Sequence, residues 1–179
     1  QNSNPKTYVL VHGAFHGGWC WRLVAGILRN AGHTVFTPTL TGLGERLHLL
    51  TPEVNLSTHI QDVTSALEWE NLRDVVLVGH SYGGSVVTGV ADRAADRIGS
   101  IVYLDAAVPT SGQSMLDVQP PERRQGMIDR AASSSGWTLP ANSAEYYGVT
   151  DKADQAWVDS KCTPQPFATF TQKLILSDP

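Results

Sequence analysis

Residues 79 to 83 read Gly79-His80-Ser81-Tyr82-Gly83, a serine with a glycine two positions away on either side. A serine hydroxyl attacks a carbonyl carbon once a base takes its proton, so the chemistry this spacing suggests is nucleophilic. The glycines matter because a sharp turn crowds the backbone where a Cβ would sit. The apolar run Val75-Val76-Leu77-Val78 precedes the motif and a helix-like stretch follows it. That context predicts a strand turning abruptly into a helix, with the Ser81 hydroxyl exposed at the corner. The helix would also aim its free N–H groups and the positive end of its dipole at the same spot, which suits a developing oxyanion. Near the start, His12-Gly13-Ala14-Phe15-His16-Gly17-Gly18 forms a second glycine-rich turn, directly after another apolar run. His12 and His16 are read as holding that turn by hydrogen bonds, and His80 as a packing neighbour of the serine whose imidazole points away from the hydroxyl.

The elements that must position these residues are legible as an alternation. Tyr8–Val11, Thr34–Phe36, Val75–Val78 and Ile101–Leu104 are short, β-branched-rich runs without polar alternation. Strands of a parallel sheet covered on both faces read this way. Between them, helical spacing links Trp21, Val24 and Leu28 ahead of Gly32. It also links Leu56, Ile60, Val63 and Leu67 after a candidate N-cap at Asn55, and Val87, Val90, Ala94 and Ile98 ahead of Gly99. Strand and helix alternating in this order predict an α/β fold, a mostly parallel sheet flanked by helices. From Val108 the strand pattern stops and Pro109, Pro120, Pro121, Pro140, Pro164 and Pro166 punctuate short helices. The expected division is a core over residues 1–108 and a helical cap over 109–179. Within the cap, Phe167, Phe170 and Leu174 are spaced for one helix face, and Trp137, Tyr146, Tyr147 and Trp157 are read as cap packing.

Composition narrows the classes. A chain of 179 residues is long enough for one domain with its own core, without a metal or disulfide staple. The formal charge is −4 and the basic residues are scattered, so no stripe is offered to a nucleic-acid backbone. No apolar run of about 18 residues reads as a membrane span, and no short apolar segment behind a basic start reads as a signal peptide, so the chain reads as soluble. Cys20 and Cys162 are expected to stay free and buried. No cofactor and no metal is expected.

The motifs resemble those of the α/β-hydrolase superfamily, in the branch that holds plant methylesterases, hydroxynitrile lyases and bacterial EstC-type esterases. The resemblance is carried by YVLVHGAFHGGWCW at 8–21, AGHTVFTPTLTGLGER at 31–46, VVLVGHSYGG at 75–84 and IVYLDAAVP at 101–109. It implies Ser81 as nucleophile, the backbone N–H groups of Ala14 and Tyr82 as oxyanion hole, and a small-molecule ester as substrate.

The departures from the family are informative. All six histidines, at 12, 16, 33, 48, 59 and 80, precede Ser81, whereas the family carries its triad in the order Ser, Asp, His. The final strands and the triad histidine are therefore expected to lie beyond Pro179, and residues 1–179 alone to be nearly inactive with a raw sheet edge. Asp105, at the end of a predicted strand, is a candidate acid, with a helix cap or a buried polar partner as the other readings. An esterase is favoured over a hydroxynitrile lyase, because Gly13 and His80 stand where lyases commonly carry threonine and glutamate. A non-catalytic ligand-binding relative is the third reading, separated from the others by whether the reading frame continues past Pro179.

Overall fold

Parallel pairing in the order β2-β1-β3-β4 organises the chain, with β1 over Thr7–Val11, β2 over Thr34–Phe36, β3 over Val75–His80 and β4 over Ile98–Leu104. The computed structural model describes residues 4–177; Gln1–Ser3 and Asp178–Pro179, and any reading of the chain ends, lie outside the described residues. Alternate side chains of β1 and β3 enter two separate cores, which is why these two runs carry no polar alternation. Val9, Val11, Val75 and Leu77 pack with the helices α2 (Leu56–Trp69) and α3 (Gly83–Arg93). Leu10, Val76 and Val78 pack with Trp21, Val35 and Ala25, the last on helix α1 (Arg22–Asn30).

Helix α2 starts at a capping box, with the Asn55 side chain accepting from the Thr58 backbone and the Thr58 side chain accepting from the Asn55 N–H. Such a cap is worth about 1 kcal/mol. Its stripe Leu56, Ile60, Val63 and Leu67 is fully covered, and each such side chain contributes roughly 1.5–3 kcal/mol.

Sequence and structure differ in several places. On α1, Val24 is exposed and Ala25 takes the buried position. Helix α3 ends at Arg93 instead of continuing to Ile98, because the sheet claims Ile98, which pairs with Val75 and opens β4. The chain after residue 108 is not strand-free: β5 (Thr138–Leu139) and β6 (Gln165–Pro166) form a small antiparallel pair among α4 (Pro121–Ala132), α5 (Lys152–Lys161) and α6 (Ala168–Thr171). Helix α6 is a single turn, so Phe170 belongs to it while Leu174 reaches the core from extended chain.

Phe170, Leu174, Leu139 and Met115 share one apolar cluster with the sheet residues Val9 and Leu77, so packing is continuous across residue 108. Strand β4, expected from its sequence to be covered on both faces, is one edge of the described sheet and has Val102, Tyr103 and Leu104 exposed; β2 is the other edge. Among the described residues no helix is long and apolar enough to cross a membrane.

Candidate active site

Ser81 sits between the last residue of β3 and the first turn of α3, with φ +52, a left-handed conformation costly for a residue with a Cβ. The surroundings over-determine it. A Cβ on Gly79 would lie 2.7 Å from the Gly83 carbonyl oxygen and one on Gly83 would lie 2.8 Å from the His12 carbonyl oxygen. Only residues without side chains let the turn, the opening loop and α3 approach this closely. The Ser81 carbonyl accepts from the N–H groups of Gly84 and Ala107, both at 3.0 Å, which ties the turn to the chain leaving β4.

The opening loop lies against this corner, since a Cβ on Gly13 would come within 3.1 Å of the Ser81 Cβ. His12 is buried and spends both ring nitrogens holding the loop: Leu40 N–H donates to Nε2 (3.0 Å) and Nδ1–H donates to the Gly13 carbonyl (2.8 Å). The Phe15 N–H donates to Oε1 of the buried Gln165 on β6, and Thr163 N–H donates to the Phe15 carbonyl. Among the described residues, the N–H groups of Ala14 and Tyr82 donate to no protein acceptor. Two backbone donors are thus unspent, that of Tyr82 next to the serine in the chain and that of Ala14 on the loop that meets it.

A cavity of about 550 Å³ opens over Ser81, lined also by Gly13, Ala14, His16, His80 and Asp105 from the sheet side. Asp105 terminates β4 with φ +43; its side chain is exposed and makes no hydrogen bond among the described residues, so it neither caps a helix nor partners a buried polar group. His80 lines the cavity with its ring edge-on to Trp21, as a packing neighbour of the serine. His16 donates from Nδ1 to the Ala14 carbonyl (2.7 Å) and turns Nε2 toward Cys162 Sγ (3.8 Å). No imidazole hydrogen-bonds the Ser81 hydroxyl among the described residues. Burial lowers the pKa of both His16 and His80.

Residues after 108 line most of the rest: Met115, Arg123, Met127, Arg130, Leu139, Asn142, Tyr146, Tyr147 and Phe170. Tyr146 and Tyr147, read from the sequence as cap packing, face this space. Trp157 does pack, edge-on to Trp19 with the Arg22 guanidinium 4.5 Å above its ring. Cys20 and Cys162 are both free, with burial pushing their thiols up to about 12 and about 11. Among the described residues no cluster of three or more His, Cys, Asp or Glu side chains is placed to hold a metal.

Beneath the serine lies a pair that sequence reading did not connect. Tyr82 is fully buried and its ring lies 5.5 Å from that of Phe170. His59 Nε2 is 2.8 Å from the Thr41 carbonyl, which can only accept, so Nε2 carries the proton and Nδ1 accepts from the Tyr82 hydroxyl at 2.9 Å. The signal was present on α2, where His59 interrupts the apolar stripe at the spacing of Leu56 and Val63.

Burial lowers His59 to about 4 and His12 to about 3. Because the unfolded chain binds these protons first, their contribution to stability is complete above about pH 6.5 and is lost as pH falls toward those values, on the order of 1 kcal/mol per pH unit for each. We expect the urea midpoint to fall between pH 7.5 and 5, equivalent to roughly 2–4 kcal/mol. A midpoint unchanged over that range would show that neither ring is buried neutral.

Comparison with known proteins agrees with this geometry. The profile of the alpha/beta hydrolase family matches residues 8–178. The chain is 48% identical to a carbendazim hydrolyzing esterase of Nocardioides sp. (strain SG-4G), over 95% of this chain and 73% of that protein. It is 29% identical to the putative methylesterase 11, chloroplastic, of Arabidopsis thaliana, spanning 47% of that protein's length. An extracellular alpha/beta-hydrolase from a Paenibacillus species, described as sharing structural and functional homology with tobacco salicylic acid binding protein 2, superposes with a TM-score of 0.88. It is 30% identical, covering 97% of this chain and 72% of that one.

Proposed function

Starting from a chain that belongs to the alpha/beta hydrolase family, we propose a carboxylic ester hydrolase that works through an acyl-enzyme on Ser81. The observation that carries the proposal is the Ser81 corner itself: a serine at φ +52 lining a cavity of about 550 Å³, with unspent N–H groups at Tyr82 beside it in the chain and at Ala14 on the loop against it. In this reading Ser81 Oγ attacks the ester carbonyl, and the carbonyl oxygen gains charge as the N–H groups of Ala14 and Tyr82 stabilise it. The alcohol leaves carrying the proton that Oγ gave up, and water then adds to the acyl carbon, releasing the acid and returning a proton to Ser81 Oγ. Asp105 is the candidate acid of the triad, residues 109–179 act as the cap, and a small neutral or monoanionic ester is the substrate class. Carbendazim, named for the Nocardioides relative, is the first specific compound to assay.

The lyase reading is less well supported. Gly13 offers no hydroxyl beside Ser81, and His80 occupies the cavity wall just before it. The experiment that separates the readings is to trap the covalent intermediate. Protein expressed from its complete reading frame, mixed with p-nitrophenyl butyrate and quenched in acid, should gain one butyryl group on the peptide containing Ser81. A lyase or a non-catalytic binder gains none, and acylation mapped to another residue would overturn Ser81 as nucleophile.

A further inference from the structure

Helix α4 presents two arginines to the cavity. Arg123 and Arg130 are seven residues apart, two helical turns, and therefore lie on one face with Gly126 and Met127 between them; all four line the space above Ser81. The side-chain ion pairs among the described residues join Arg46 to Asp62 and Arg73 to Asp96, so no carboxylate neutralises either arginine of this face. One arm of Arg130 is fixed, with Nη2 donating to the Pro140 carbonyl at 2.7 Å, which holds its guanidinium at the wall. Beside it the Tyr147 hydroxyl accepts from Asn142 Nδ2 at 3.3 Å, and both of these residues also line the cavity. The single carboxylate of the lining, Asp105, comes from the sheet end, where β4 meets the Ser81 turn. Apolar side chains of Met115, Leu139 and Phe170 complete the lining. The cavity therefore joins a nucleophilic end, an apolar surface and a cationic wall rich in hydrogen-bond donors.

Resting on the Ser81 reading above, we propose that Arg123 and Arg130 select esters that carry a carboxylate at the end remote from the scissile carbonyl. A guanidinium meets a carboxylate through paired N–H donors, and a cavity wall partly screened from water strengthens that attraction over its surface value. An uncharged ester of the same shape would gain only the apolar contacts.

Two probes differing in this feature alone test the proposal: monomethyl glutarate, one ester and one carboxylate, and dimethyl glutarate, its neutral counterpart. Binding is measured by calorimetry on the Ser81→Ala protein, so that no turnover intrudes. The monoanion should bind about tenfold more tightly, and raising the ionic strength from about 0.02 to about 0.5 M should weaken it while leaving the neutral probe unchanged. Arg123 is exposed, so Arg123→Gln leaves the packing intact and should remove several-fold of the preference; Arg123→Gln with Arg130→Gln should abolish it. Equal affinity for the two probes, undetectable binding of the monoanion, or a preference that survives both replacements would overturn the proposal. The two readings fail separately: acylation of Ser81 without a charge preference removes the cationic wall and keeps the esterase. A charge preference without acylation does the reverse.

Discussion

Replacing Ser81 with alanine removes ester turnover. In the protein expressed from its complete reading frame, kcat for p-nitrophenyl butyrate should fall by about five to six orders of magnitude, with affinity for a non-hydrolysable ester analogue almost unchanged. The size of the effect follows from the role: without Oγ there is no bond to form with the acyl carbon, and the two backbone donors stabilise a charge that does not develop. The split between kcat and affinity follows from the place, since Ser81 contributes little to a cavity walled by Phe15, Met115, Leu139 and Phe170. Turnover within tenfold of the parent would show that the hydrolysis has another nucleophile. Loss of analogue binding together with turnover would instead mean that the strained corner had rearranged, which a proton spectrum of the buried methyl groups would reveal.

Tyr82→Ala should be among the most destabilising single changes in the chain. The side chain has no exposed surface, lies against Phe170 and donates its hydroxyl to His59, which in turn donates to the Thr41 carbonyl. Truncation leaves a ring-sized void in a close-packed interior, costing about 3–5 kcal/mol in the urea midpoint. It also frees the backbone of the residue whose N–H flanks Ser81. Tyr82→Phe separates the two contributions: the ring stays, and the loss is about 1–2 kcal/mol because the lone pair on His59 Nδ1 is left without its donor. If Tyr82→Phe were as damaging as Tyr82→Ala, the hydrogen bond and not the ring would carry the stability. If Tyr82→Ala were neutral, the residue would not be the buried post described here.

The alternation of apolar runs and helical stripes determined the architecture by itself. Burial is written in local spacing, and so β1 to β3 and α2 fall where Tyr8–Val11, Thr34–Phe36, Val75–Val78 and the stripe from Leu56 to Leu67 place them, whereas on α1 Ala25 and not Val24 takes the buried position. The corner at Ser81 was equally local, because the glycines at 79 and 83 and the flanking strand and helix all lie within a dozen residues. Where elements compete for the same residues, local spacing was not enough. Ile98 suits the stripe of α3, yet pairing with Val75 draws it into β4, and a sheet register between distant residues cannot be read from either strand alone.

The cavity is a tertiary product in the same sense. Tyr146 and Tyr147 look like packing residues in sequence, and no local pattern marks Arg123 and Arg130. Only folding the segment after residue 108 back over the sheet turns them toward Ser81. The pairing of His59 with Tyr82, 23 positions apart, likewise depends on α2 and α3 lying side by side. Periodicity reports which face of an element avoids water, whereas the partner on that face is set by packing between elements far apart in the chain. The candidate nucleophile could therefore be named from its neighbours in sequence, while the groups that shape and charge its surroundings became visible only in three dimensions.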